Sequence, residues 1–275
     1  MGLAGENRVS TVRPAAVAGT FYPASSAALS AEVRTQVGRA APPARSAPRP
    51  KALIVPHAGY IYSGAIAAAA YRRLAAGCEA IDTVVLLGPA HRVPLRGLAV
   101  PSVDAFATPL GEVEVDRALA ARALTLPQVM ESDRVHELEH SLEVQLPFLQ
   151  ILLRRFRLVP FAVGDATVPQ VAEVIELLWG GPETLIVVSS DLSHYHRYDE
   201  ARVLDRSSAQ TVLTLSPTLG YEQACGALPI NGLLSVARQR SLRPELLDLR
   251  NSGDTAGDKL RVVGYGSFLF SEAAA

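Results

Sequence analysis

Apolar and polar positions along this chain alternate in two periods, and their order predicts an α/β fold. Short runs of Val, Ile and Leu closed by Gly, Pro or Ser-Asp are typical of strands buried on both faces of a parallel sheet. Between them lie segments with apolar residues three and four positions apart, which is typical of helices that cover such a sheet. The predicted strands are 52–56, 83–88, 97–101, 157–163, 184–189, 244–250 and 261–270. The predicted helices are 27–40, 64–76, 116–124, 143–155, 168–179, 200–215 and 227–239.

This alternation predicts one mostly parallel central sheet with helices on both faces. The final strand, 261–270, is the candidate for an antiparallel neighbour. A chain of 275 residues fits a single α/β domain, 1–275. The Pro-rich segment 41–50 is predicted to be a surface linker and not a domain boundary, because a strand follows it directly.

Composition and charge narrow the possible partners. The chain is 49% apolar and 19% charged, which is typical of globular proteins. A net charge of −1 gives no excess of positive charge that would attract nucleic acid or an anionic membrane. The expected partner is therefore a small molecule, a peptide or a protein. The sequence contains no stretch of about 18 apolar residues, so it predicts no membrane span. The absence of a secretory pattern and the two cysteines favour the reducing cytoplasm.

Three histidines follow three of the predicted buried strands. They are His57 in ALIVPHAGY, His91 in DTVVLLGPAH and His194 in TLIVVSSDLSH. Ligands of open α/β sheets bind beyond the carboxyl ends of the strands, so these imidazoles suggest a metal or acid/base site. The strands before His57 and His91 are expected to be neighbours, as sequential strands usually are.

Asp191 stands three residues before His194, a spacing that puts both on one face of a helical turn. A carboxylate beside an imidazole raises its basicity and fixes its tautomer, which suits a general base or a metal ligand. The structural alternative is that Ser190 or Asp191 caps the next helix. Both interpretations remain open from the residues alone.

Two tyrosines and a cysteine are further candidates. Tyr60 and Tyr62 follow His57 closely and offer hydroxyl groups. Cys225, next to a glycine at the start of a predicted helix, suits a soft metal ligand or a nucleophile. The commoner fate of a lone cysteine is to be a small buried hydrophobe.

The segment HELEH, 136–140, matches the H-E-x-x-H pattern of zinc peptidases. That chemistry needs two histidines on one stable helix face and a third ligand downstream. Residues 131–140 are mostly polar and show no apolar stripe, and no H-x-x-G-x-x-H extension follows. The peptidase is therefore the weakest of the alternatives.

Ordered motifs lie across nearly the whole chain, from about residue 12 to residue 270. They are AGTFYP (18–23), ALIVPHAGYIYSG (52–64), LLGPAH (86–91), TPLGEVEVD (108–116), EHSLEVQLPFLQ (139–150), SSDLSHY (189–195), ACG (224–226) and SGDTAGDK (252–259). Taken together, these motifs resemble the Memo family, called AmmeMemoRadiSam system protein B in prokaryotes.

This resemblance implies a fold like that of class III extradiol ring-cleavage dioxygenases. It also implies that His57, His91 and Cys225 bind a metal ion, and that Asp191 and His194 are active-site residues. His194 matches the acid/base histidine of those dioxygenases. They hold ferrous iron with two histidines and a glutamate, whereas this chain has Cys225 in the third place.

By the same resemblance, HELEH falls on the family's EHS-x-E segment, so His140 and Glu143 are expected to line or support the pocket. Two imidazoles and one thiolate leave a position open on the metal, as catalysis requires. Such ligands suit iron(II), copper or zinc, with iron(II) favoured. The family's prokaryotic name implies AMMECR-type and radical SAM proteins as partners.

Three functions remain after the sequence analysis. The first is a metal-dependent redox or dioxygenase-like enzyme that acts on an unknown small or peptidyl substrate. The second is a non-catalytic module that binds a peptide or a protein on a dioxygenase-like fold. The third is the zinc peptidase of HELEH 136–140.

Overall fold

Strands and helices follow one another in the alternating order that the apolar pattern predicts. A computed structural model describes residues 11–44, 48–75 and 78–272. The strands are β1 (Val12–Arg13), β2 (Pro50–Val55), β3 (Thr83–Pro89), β4 (Leu98–Val100), β5 (Ala105–Thr108), β6 (Gly111–Glu114), β7 (Val129–Glu131), β8 (Arg157–Val163), β9 (Thr184–Ser189), β10 (His194–His196), β11 (Arg243–Asn251) and β12 (Val262–Ser271). The α-helices are α1 (Ser26–Arg39), α2 (Tyr60–Tyr71), α3 (Arg117–Ala123), α4 (Asp133–His136), α5 (Leu146–Leu152), α6 (Val168–Leu177), α7 (Tyr198–Leu213) and α8 (Ala227–Gln239).

The main sheet is parallel at its centre, and antiparallel pairings flank this central part on both sides. Its strand order is β10-β12-β2-β9-β3-β8-β4-β7, with β11 paired to β12. Strands β2, β9, β3 and β8 run parallel, whereas β12 is antiparallel to β2 and β4 is antiparallel to β8. The α/β class and the antiparallel final strand are therefore confirmed. Strands β1, β5 and β6 form a separate small sheet.

Helices cover both faces of the sheet, as the sequence predicts. Along β3, Val85 and Leu87 join one apolar core, while Val84 and Leu86 join the other. Side chains alternate across a strand, so a run that is apolar throughout feeds both cores. The first core includes residues of α3, α6, α7 and α8, and the second includes residues of α1, α2 and α5.

Several element boundaries differ from the predicted ones for local reasons. Helix α1 begins at Ser26 because the side chain of Ser25, one residue earlier, accepts the N–H of Ala28. The predicted helix 143–155 is a 3-10 turn followed by the short α5, which has a proline in its first turn. Strands β1, β5, β6, β7 and β10 are two to four residues long, too short for a visible period.

The expectation that the strands before His57 and His91 are neighbours was wrong. Strand β9 lies between β2 and β3 and is parallel to both. The carboxyl end of β9 therefore lies at the same edge of the sheet as the carboxyl ends of β2 and β3. Residues 45–47 of the predicted linker 41–50 lie outside the described residues, and Pro50 already belongs to β2. In the described chain, no helix is long and apolar enough to cross a bilayer.

Candidate metal centre

Three parallel strands deliver the candidate residues to one edge of the sheet. His57 follows the end of β2, His91 follows the end of β3, and Asp191 follows the end of β9 between them. The N–H of Ser190 donates to the Val55 carbonyl, which ties the ends of β2 and β9 together. Because the carboxyl ends of these strands coincide, the side chains that follow them share one space.

Three imidazoles meet in that space. One ring nitrogen from each of His57, His91 and His140 lies within 4.8 Å of the other two. The ring centroids are 5.2 Å apart for His57 and His91, 5.4 Å for His57 and His140, and 4.7 Å for His91 and His140. Ligand nitrogens about 2.0–2.1 Å from an ion lie at most about 4 Å from each other, so a contraction of about 1 Å closes the cluster on a cation. Three histidines are thus placed to hold a metal ion.

The hydrogen bonds of Ser189 determine the tautomer of His57. The Ser189 hydroxyl donates its one proton to the Ser141 carbonyl at 2.5 Å and accepts from Gln145 Nε2 at 2.8 Å. The 3.0 Å contact from Ser189 Oγ to His57 Nδ1 therefore requires a proton on Nδ1. His57 Nε2 keeps its lone pair and is available to a metal ion.

The carboxylate of Glu139 determines the tautomer of His91. His91 Nδ1 donates to Glu139 Oε1 at 2.9 Å, and His91 N donates to Glu139 Oε2 at 2.6 Å. Glu139 also accepts the N–H groups of His140 and Ser141. Burial alone would raise the pKa of Glu139, but the hydrogen bonds from His91 and Ser141 lower it to about 2. The ionised carboxylate fixes the Nε2 lone pair of His91, an arrangement common around metal-binding histidines.

The sulfur of Cys225 lies beside the cluster, just before α8. Cys225 Sγ is 3.4 Å from His57 Nε2, 3.7 Å from the Asp191 carbonyl oxygen and 3.8 Å from Ser190 Oγ. A Cβ on Gly226 would lie 2.7 Å from Ser190 Oγ, so glycine permits this close turn. Packing around the thiol, and then the Asp191 carboxylate, raise its pKa to about 12. Metal binding would have to displace the thiol proton.

The environment of the cluster favours neutral imidazoles. Burial, followed by the neighbouring rings of His91 and His140, holds the pKa of His57 well below its usual range. Burial also lowers the pKa of His140 to about 4. The Nδ1 atom of His140 is buried and makes no hydrogen bond within the described residues, but it lies 3.4 Å from Glu139 Oε1. Unprotonated rings fit the binding of a cation, because a metal ligand must present a lone pair.

Asp191 and His194 line the same space but do not share a helical turn, so that expectation was wrong. His194 opens β10, and its Nδ1 donates to the Leu192 carbonyl at 2.8 Å. The chain turns here into a strand because β10 pairs with β12. One oxygen of the buried Asp191 accepts the N–H of His57 at 2.8 Å, and burial raises the pKa of this carboxyl. Asp191 therefore fixes the segment after β2, and the carbonyl leaves the lone pair of His194 on Nε2.

The HELEH segment does not form the helix that a zinc-peptidase motif needs. Helix α4 ends at His136, so His136 and His140 are not on one helix face. His136 is buried, and its Nε2 donates to the Ala99 carbonyl at 2.9 Å. Only His140 of the pair joins the cluster. A polar segment with no apolar stripe has no reason to bury one face as a helix.

Two predicted pocket residues lie beneath the site, within the core. Tyr60 is buried, and its hydroxyl donates to the Val144 carbonyl at 2.8 Å. Glu143 is fully buried against Arg13, whose Nη1 lies 2.6 Å from Glu143 Oε2. Tyr62 and His140, in contrast, face the cavity. Glu143 and Tyr60 support the wall of the site from behind.

An open cavity of about 1000 Å³ leads from the solvent to the cluster. His57, His91, His140, Asp191, His194 and Cys225 all line it. Its lining also includes four aromatic residues and an arginine: Phe21, Tyr62, Tyr195, Tyr221 and Arg261. The sequence analysis missed Ser189 and Glu139, the hydrogen-bond partners of two of the clustered imidazoles. The only signals were a polar residue at the end of a predicted strand, for Ser189, and a polar residue before an apolar helical period, for Glu139.

Comparisons with known proteins show that this chain is similar to the members of one family. A family model described as "Memo-like protein" matches residues 13–269. A MEMO1 family protein of Aquifex aeolicus is 38% identical over 272 residues, which are 94% of this chain and 99% of that protein. A MEMO1 family protein of Sulfolobus acidocaldarius is 35% identical, over 95% of this chain and all of that protein.

The fold is also similar to a solved structure. The crystal structure of an uncharacterized protein from Escherichia coli K12 matches with a TM-score of 0.51 and 13% identity, over 78% of this chain and 98% of that one. At this identity the likeness concerns the fold alone.

Proposed function

This chain belongs to the Memo family, and we propose that it is a metal-dependent oxidoreductase with dioxygenase-like chemistry, acting on a small-molecule or peptidyl substrate. The proposed ligands are His57, His91 and Cys225, and iron(II) is favoured over copper and zinc. The supporting observation is the approach of Cys225 Sγ to within 3.4 Å of His57 Nε2 at the cavity floor. His140 stands beside them as a third imidazole.

In this proposal, a bound redox-active ion supplies Lewis acidity and electron transfer. His194 accepts a proton from the substrate at Nε2, because its Nδ1 is held by the Leu192 carbonyl. Asp191 keeps the segment after β2 in place and puts a carboxyl group in the cavity wall near that imidazole. The proposal places this chemistry in the cytoplasm, with AMMECR-type and radical SAM proteins as partners.

Metal analysis of protein purified without oxygen tests the ligand set. We expect about one ion per wild-type chain and a loss in His57→Ala, His91→Ala and Cys225→Ser. His196→Ala removes an imidazole from outside the cavity and serves as the matched control. Full metal content in Cys225→Ser would show that the sulfur is not a ligand. Loss in His136→Ala with retention in His57→Ala would favour the peptidase instead.

A second experiment separates an enzyme from a binding module. A deletion strain is complemented with wild type or with His194→Ala, and untargeted metabolite profiles are compared. Because His194 is proposed to move a proton and not to hold the metal, His194→Ala should keep the metal and fail to restore the profile. Full restoration by His194→Ala would contradict catalysis and favour the binding module.

A further inference from the structure

Tyr195, at the cavity wall, has a backbone conformation that its side chain disfavours. Its φ is +64°, in the left-handed region where a bulky residue is uncommon. The flanking residues His194 and His196 pair with Val263 and Val262, which are adjacent on β12. Tyr195 is thus the extra residue of a β-bulge. Bulges often redirect a side chain next to a functional site.

Packing does not explain this strained residue. The side chain of Tyr195 is 63% exposed, so its ring contributes little to the core. Its ring centroid lies 5.7 Å from that of His194, and both residues line the cavity. Strain that the fold itself does not require points to a role for the side chain at the site.

The partner of this ring is Arg261. Its guanidinium lies 5.0 Å from the centroid of the Tyr195 ring and lines the same cavity. Asp258, the nearest acidic residue in sequence, accepts the N–H groups of Leu260 and Arg261 at 2.7 and 3.4 Å, so it caps its own turn. Across the described residues, the Arg261 guanidinium forms no ion pair.

Other stacked arginines of this chain are different. Arg13, Arg202 and Arg240 also lie over aromatic rings, and each of them in addition pairs with a carboxylate. The partners are Glu143, Asp199 and Glu176. In the described part of the chain, Arg261 alone among the stacked arginines has no carboxylate within ion-pair distance. A guanidinium stacked on a ring and open on its edge is suited to bind a planar oxyanion.

We propose that Arg261 and Tyr195 bind an oxyanion of the substrate, a carboxylate or a phosphate, at the mouth of the cavity. The ring holds the guanidinium in place, and the guanidinium receives the anion. The inference rests on the proposed function in one respect: the anchored substrate would extend from this point towards His57, His91 and Cys225.

Calorimetric titration tests the anion site, with metal-free and metal-loaded full-length protein. The probes are benzoate, phenyl phosphate and benzamide, a neutral analogue of benzoate. Wild type should bind at least one anion more tightly than benzamide. Arg261→Gln should weaken anion binding about tenfold or more, with benzamide unchanged, because charge-assisted hydrogen bonds are lost. Arg202→Gln, from a stacked pair outside the cavity, is the control and should have no effect.

The variant Tyr195→Asn tests the role of the Tyr195 ring independently of Arg261. Asn tolerates the left-handed region, so the melting temperature should not fall, while anion binding should weaken. Equal anion binding in Arg261→Gln and wild type would overturn the proposal. So would a lower melting temperature of Tyr195→Asn with unchanged anion binding, since the ring would then be structural. An effect of Arg261→Gln in metal-free protein keeps this result separate from the metal analysis, which alone decides the proposed ligands.

Discussion

Ser189, the last residue of β9, has a hydroxyl group that makes three hydrogen bonds. It connects Gln145 and the Ser141 carbonyl to the ring of His57, and so fixes which nitrogen of that ring faces the cavity. A single hydroxyl with three partners has no free hydrogen-bonding capacity left. The proposed ligand His57 is thus oriented by a residue that never reaches the cavity.

We expect Ser189→Ala to weaken metal binding about 10–100-fold, as is typical when a hydrogen-bond partner of a ligand is lost. The measurement is a competition titration against a chelator of known affinity. Ser267→Ala is the control, because its Oγ is buried without a hydrogen-bond partner. Equal affinities of Ser189→Ala and Ser267→Ala would show that the hydroxyl does not orient His57.

At the scale of elements, Glu143 fastens the N-terminal segment to the turn before α5. Its carboxylate accepts from Arg13 Nη1 at 2.6 Å, the backbone N–H groups of Ala16 and Val17 at 2.8 and 3.0 Å, and the Tyr22 hydroxyl at 2.5 Å. Both members of the Arg13–Glu143 pair are buried. Removing one partner leaves a buried charge without compensation.

Glu143→Gln should therefore lower the free energy of unfolding by roughly 3–5 kcal/mol. Urea denaturation followed by circular dichroism measures the change. Glu112→Gln, on an exposed position of β6, should change it by less than about 0.5 kcal/mol. A loss below about 1 kcal/mol in Glu143→Gln would mean that the backbone donors satisfy the amide equally well.

Asp205 of α7 supports the β10–β12 corner and makes it sensitive to pH. It accepts the N–H of Ser193 at 3.0 Å, and the close approach of Gly264 leaves no room for a Cβ. Burial raises the pKa of Asp205 to about 6, above the usual value of 3.8. Between these values the folded state binds more protons than the unfolded state, so this carboxyl destabilises the fold as the pH rises.

We expect the stability of wild type to fall relative to Asp205→Asn as the pH rises from about 4 to about 7, by at most about 3 kcal/mol. Denaturant titrations at several pH values measure the difference between the two proteins. A constant difference across this range would contradict the raised pKa of Asp205.

On the scale of the whole molecule, local signals and long-range packing account for different parts of the structure. Strands such as 157–163 and 184–189 were predicted with the observed bounds, because fully apolar runs are strong local signals. The insertion of β9 between β2 and β3 was not, because helix packing on the two faces decides strand order.

In the candidate site, too, some residues were predicted from local signals and others depend on long-range packing. His57, His91 and His194 were predicted because each follows a buried strand, and parallel strands end at one edge. His140 was found through the family resemblance. Glu139 was missed, since nothing local shows that a polar segment between two helices folds back over the end of β3. Glu143 was placed in the pocket, but its partner Arg13 lies 130 residues away in sequence.

The wide separation of the proposed ligands also sets an order of events during synthesis. Cys225 lies 168 residues after His57, which at about 5–20 residues per second is an interval on the order of ten to thirty seconds on the ribosome. During that time the nascent chain has the imidazoles but lacks the Cys225 thiol. Under the proposed ligand set, loading with the ion would be a step of protein maturation that follows synthesis of the chain.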